Sequence, residues 1–409
     1  MNDGLRRLLR GAVRATHDWP VFKSIYRSRY RAAAAAAGRL RETNPAITGV
    51  YARNSYALNT WIPGRSDIDL TVVWRQASRK DVDEFHARYD LLRNRFPMLG
   101  EVEMLDENHL EPWTSQGVTG LESKHWVKLS GNHRFRCRYA GDERLDRLRH
   151  AVAIYRYNLM PLYWRSMPPD EVLLRFAAKL LRQFDKPLPT APRSVLLPAC
   201  LRELSTQIAS LQTGDEGRTL DYAGLLGEIP SAQRPAEISA SSLALFGSAL
   251  DPAPRYTLVS SELEAIAGEW AGTVVMDAKV LEFYLAFVDP LEYLSLLRGR
   301  TIFQGVDPLS KPYALSEAAF RGSIRYYAAQ MLLFPYSRNI ASMSDVQFRD
   351  VLYGWFLITL RYFEDGRMDF QYHTLRDYFG SRHAEDEDRF TLLHGIADDL
   401  RKHLDLSVR

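Results

Sequence analysis

Two aspartates one residue apart, Asp67 and Asp69, lie near the end of the segment 47–73, ITGVYARNSYALNTWIPGRSDIDLTVV. On a β-strand, side chains at i and i+2 leave the same face, about 7 Å apart at the backbone. Two carboxylates so placed can grip one or two divalent cations, because hard cations take oxygen ligands. Upstream lies Asn54-Ser55, a small-residue turn after the apolar stretch 47–51, followed by a polar loop with Pro63-Gly64. The order strand, phosphate-sized turn, loop and acid-bearing strand suits a site for a nucleoside triphosphate taken as its magnesium salt.

The neighbouring elements must hold these residues in place. Residues 21–43 carry the alanine run 32–37 between arginines and read as a helix ending between Gly38 and Thr43. A second helix is expected over 79–96, where Phe85, Tyr89, Leu92 and Phe96 recur at helical spacing before Pro97 and Gly100 stop it. Residues 101–105 alternate as a strand, and 126–129 with 135–139 read as a hairpin around Gly131-Asn132. Beyond 143 the pattern is mostly helical, over 144–159, 170–184, 195–211, 260–267, 280–287, 316–333, 344–363 and 389–404. Breaks rich in Pro and Gly fall at 186–194, 213–218 and 230–235, and 296–308 could form another small hairpin.

The wording PGRSDIDL, with a Ser twelve positions before the first Asp, resembles the nucleotidyltransferase superfamily that includes polymerase beta and the aminoglycoside adenylyltransferases. That pattern is an apolar residue, Gly, Gly or Ser, a loop of roughly ten residues, then Asp, apolar, Asp or Glu, apolar. Asn54-Ser55, the loop 56–66 and Asp67-Ile68-Asp69-Leu70 fill it, with Asn54 in the place of the first glycine. Asn is among the few side chains that tolerate left-handed backbone, so the turn can persist. The resemblance implies an α+β fold: a small mixed-sheet transferase domain with an N-terminal helix over 1–143, then a mainly helical acceptor-binding region over 144–409. It also implies a third carboxylate on the strand after the second helix. Glu103 in the run VEML is the choice, and Glu101 the alternative on the same face.

The implied chemistry is in-line transfer of a nucleoside monophosphate, AMP from ATP being the first choice, onto a hydroxyl of a small molecule by a two-metal mechanism. Asp67, Asp69 and Glu103 would hold magnesium, Asn54 and Ser55 would touch the phosphates, and Arg65 and Lys128 would face them or else remain solvated surface charges. Transfer to a tRNA or protein, and a catalytically silent binding module, are the alternatives.

The remaining composition narrows the classes. A formal charge of +3 over 409 residues gives no bulk electrostatic case for nucleic acid. Cys137 and Cys200 stand far apart and outside any metal-ligand spacing, which suits a reducing cytoplasm. The longest apolar run, 351–360, is about half a membrane span. No Gly-rich loop ending in Lys-Ser or Lys-Thr is present, so a Walker-type ATPase has no support. Gly247-Ser248 mimics the phosphate turn, but no Asp-x-Asp follows it and a loop is expected there.

Overall fold

The β-branched and aromatic residues between Ile47 and Asp106 form three of the four strands of a mixed sheet in this computed structural model. The structure describes residues 11–13, 15–17, 19–64, 66–159, 170–189, 193–211, 244–247, 274–277, 280, 283–291, 316–368, 372–380 and 388–404. The chain divides into two compact units, one of Met1–Ala140, Ala328–Phe363 and Gln371–Arg409, the other of Gly141–Tyr327 and Glu364–Phe370. This division differs from the single boundary near 143 that the sequence suggests, since two C-terminal stretches join the first unit.

In the first unit, β1 (Ile47–Ala52), β2 (Ile68–Trp74), β3 (Leu99–Asp106) and β4 (Val127–Gly131) lie in the order β3-β2-β1-β4. The pairs β1–β2 and β1–β4 are antiparallel, and β2–β3 is parallel. A parallel neighbour needs a crossover. Helix α1 of this crossover, Arg79–Arg95, supplies it between β2 and β3 and starts at a capping box made by Ser78 and Asp81. It buries Val82, Phe85, His86 and Tyr89. Phe85 meets Trp74 of β2 edge-on at 5.5 Å and stacks on Tyr89 at 5.9 Å. A large apolar side chain buried this way contributes about 1.5–3 kcal/mol.

The helix Pro20–Gly38 precedes the sheet and packs against β1 and β4. Its alanines are the reason it can come so close: Ala33, Ala34, Ala36 and Ala37 are buried, and a Cβ on Gly38 would stand 3.2 Å from the Leu129 carbonyl oxygen. The expected return strand over 135–139 is absent. Residues 133–140 run without regular structure, because Phe135 turns onto Trp126 and Tyr51, and the Asn132 and His133 amides both donate to the Thr48 carbonyl.

In the same unit, Asp106 caps the helix Glu107–Thr114, and His109 of that helix meets Asp398 of the helix Arg389–Leu404 at 2.7 Å. The helix expected over 344–363 is broken into Asp345–Val351, a π-helical turn at Leu352–Leu357, and Ile358–Asp365.

In the second unit, the helices Glu143–Ile154, Asp170–Arg182 and Arg193–Ala209 pack together. A two-stranded parallel pair, Ala244–Gly247 with Val274–Asp277, also belongs here, where the sequence suggested only helix and loop. The expected helix 260–267, hairpin 296–308 and loops 213–218 and 230–235 lie outside the described residues.

Candidate active site

Alternation along β2 sends Asp67, Asp69 and Thr71 to one face. Strand register extends that face across the sheet: Thr71 lies beside Glu103 of β3 and Tyr51 of β1, and Tyr51 lies beside Lys128 of β4. The two aspartates converge at one spot on β3. A Cβ built on Gly100 would collide with Asp69 Oδ1 and stand 2.8 Å from Asp67 Cβ. Gly100 reads from sequence as a helix stop, yet it sits inside β3, where only hydrogen leaves room for both carboxylates.

Asp69 is held from two sides. Asn54 Nδ2 donates to its Oδ2 at 2.8 Å, and the Glu101 amide donates to its Oδ1 at 3.1 Å. Asn54 has φ +54°, the left-handed geometry expected for its place, and opens the short helix Asn54–Ala57 directly after β1. Ser55 is half-buried in that helix, and its carbonyl accepts from the Thr60 amide at 2.9 Å. Lys128 is exposed on edge strand β4, and Arg65 lies outside the described residues. Trp61 of the loop stacks on Tyr30 at 4.4 Å, so its ring is committed to packing.

Glu103 is paired with Arg53. Its Oε2 lies 2.6 Å from Arg53 Nη1, with Arg53 only 5% exposed and the Glu103 side chain 22% exposed. Breaking such a pair by deleting one partner costs about 3–5 kcal/mol when both groups are fully buried. Burial pushes the Glu103 carboxyl up, Arg53 pulls it down, and the charges of Glu101 and Asp69 push it up again. The polar groups around this pair are poorly matched. Arg53 Nε, Thr71 Oγ1 and Glu103 Oε2 are all buried without an aligned hydrogen-bond partner. Buried polar groups are ordinarily satisfied; Glu103 Oε2 keeps its ion pair, whereas Arg53 Nε and Thr71 Oγ1 have no partner of either kind. Neither Arg53, Thr71 nor Gly100 stands out in the sequence, although an arginine at the end of an apolar strand was the available signal.

The donor set sets a limit on any cation. Among the described residues no group of three or more His, Cys, Asp or Glu side chains is placed to hold a metal ion. The pair Asp67 and Asp69 still fits one magnesium ion, which takes one or two carboxylates and completes its shell with substrate phosphates and water. Each oxygen of Asp69 accepts one hydrogen bond and keeps acceptor capacity. Tyr89 donates to the Gly100 carbonyl at 3.1 Å, and burial together with the two aspartates pushes its phenol up. Tyr51, pushed up to about 12 by burial, keeps its proton and donates to the His133 carbonyl at 3.0 Å. Neither tyrosine is a base.

Among the described residues no helix is long and apolar enough to cross a membrane. No protein-family model, curated protein or solved structure matches this chain.

Proposed function

We propose that this protein is a nucleotidyltransferase that moves a nucleoside monophosphate, AMP by first preference, from a magnesium nucleoside triphosphate to a hydroxyl of a small molecule. The observation that carries the reading is the convergence of Asp67 and Asp69 over Gly100, beside a left-handed Asn54 that fixes Asp69. The order of elements supports it too: helix, strand, tight turn, acid-bearing strand, helix and a further acid-bearing strand follow the sequence resemblance.

Displacement at an α-phosphate needs little covalent help from a protein. Positioning of the reacting oxygens and offsetting of developing charge are what an active site supplies. Asp67 and Asp69 would hold the cation of the substrate complex. Asn54 keeps Asp69 oriented, and Ser55 at the turn is placed to meet phosphate oxygens. Arg53 contributes a permanent positive charge on the same face. The pairing of Arg53 with Glu103 favours a second reading, a silent module that retains the fold and has lost its third ligand.

Radiolabelled triphosphate incubated with the protein and a small-molecule extract separates the two. Label transferred by wild type and lost in Asp67→Asn supports the enzyme, and no transfer from any of the four triphosphates leaves the silent module.

A further inference from the structure

We infer that the guanidinium of Arg53 is a fixed cation occupying the role of a second metal ion, so that this site takes its nucleoside triphosphate with a single divalent cation. The inference rests on the nucleotidyl-transfer reading above and deepens it.

Three observations carry it. Glu103, the carboxylate that would complete a second ion's shell, already has a cation 2.6 Å from Oε2, on a side chain 5% exposed. A guanidinium cannot shed its proton under protein conditions, so this charge does not leave, and an incoming dication would meet it head-on. Arg53 also has donor capacity to spare: its Nε is buried without a partner. A guanidinium with open N–H groups is suited to phosphate oxygens, which it can grip as a fork where an ion would only neutralise. Finally, the two remaining carboxylates, Asp67 and Asp69, make a complete donor set for one magnesium–triphosphate complex, and Glu101, also on β3, is exposed and lends its amide to Asp69.

Arg53 is thus assigned as a phosphate-facing residue and Glu103 as the group that positions it. The test counts ions. Manganese is titrated into the full chain with a non-hydrolysable ATP analogue, and free manganese is followed by electron paramagnetic resonance. The expected result is one bound ion per chain, unchanged in Glu103→Gln and lost in Asp69→Asn. Nucleotide affinity should fall about tenfold or more in Arg53→Met, with partial rescue by Arg53→Lys. Two ions per chain in the wild type, or an ion lost in Glu103→Gln, overturns the inference while leaving nucleotidyl transfer in place. No manganese bound to the wild type with nucleotide present overturns both. Should Arg53→Met fail to fold, the Glu103→Gln count decides alone.

Discussion

Among the described residues each unit buries one arginine against a carboxylate, and the two pairs are built differently. In the second unit Arg149 Nη1 meets Asp146 Oδ1 at 3.1 Å, with side chains 6% and 1% exposed. Its Nε donates to the Phe287 carbonyl at 2.9 Å, its Nη2 to Ser323 Oγ at 3.3 Å, and its plane lies 4.8 Å from the Tyr326 ring centroid. Every edge of that guanidinium is engaged. In the first unit Arg53 has Glu103 on one nitrogen and nothing on Nε, and Thr71 beside them is an orphan as well. A saturated pair is a structural fixture. The Arg53 pair instead leaves one buried guanidinium N–H without a partner.

The contrast can be broken at either end. Arg149→Met should cost the most, about 3–5 kcal/mol in urea unfolding, because it removes the cation that faces the buried Asp146 carboxylate. Arg53→Met should cost less, about 1–3 kcal/mol, since Glu103 keeps some exposure and the donors removed were partly unused. Equal losses would erase the distinction.

Both units hold groups whose folded titration departs from the free value. In the second unit, burial and Lys179 lower His150 to about 3. The unfolded chain therefore binds a proton below about pH 6.5 that the folded chain refuses. Stability is full above that pH and falls on acidification, at up to about 1.4 kcal/mol per pH unit. Denaturant melts at pH 6 and pH 4 should show this loss in wild type and a shallower one in His150→Gln; parallel lines would refute the sign.

Gly100→Ala tests the cradle of the site. Overpacking against the aspartates should cost about 1–3 kcal/mol and weaken Mg–ATP at least tenfold, whereas unchanged binding would mean the carboxylates do not depend on that space. The smallest effect belongs to Asp398. Its bonds to His109 and His394 outweigh its burial and hold its carboxyl below the usual range, while the same contact outweighs the burial of His394 and raises that imidazole. The Asp398 contribution is present above about pH 4 and lost as pH falls; that of His394 is present below about pH 6.5 and lost as pH rises through its elevated value. With Asp398 42% exposed, Asp398→Asn should cost under about 1 kcal/mol near pH 6 and less at pH 8, read from the same melts.

Local rules account for what could be read in advance. Alternation was enough to place Asp67 and Asp69 on one face, residue type to foresee the left-handed Asn54, and the helical spacing of Phe85, Tyr89, Leu92 and Phe96 to foresee the crossover helix. The α+β class with a mixed sheet was what the family resemblance implied, and the sheet is mixed. What escaped was non-local. The Arg53–Glu103 pair joins β1 to β3 across β2, and no periodicity reports a contact fifty residues apart. Gly100 carries the usual mark of a helix end, and only the third dimension shows two carboxylates pressed against it. The return strand after Gly131 gave way to an aromatic cluster of Tyr51, Trp126 and Phe135, where ring packing outweighed strand pairing.

The central claim is that Asp67 and Asp69 together hold a cation-bound triphosphate. Isothermal titration of Mg–ATP into wild type and Asp69→Asn tests it most directly. The variant keeps its shape, since Asn54 can turn its amide to present an oxygen to the new side chain. Binding by the wild type, at least tenfold weaker in the variant and magnesium-dependent only in the wild type, is the result expected; equal binding by both, or none by either, would contradict it.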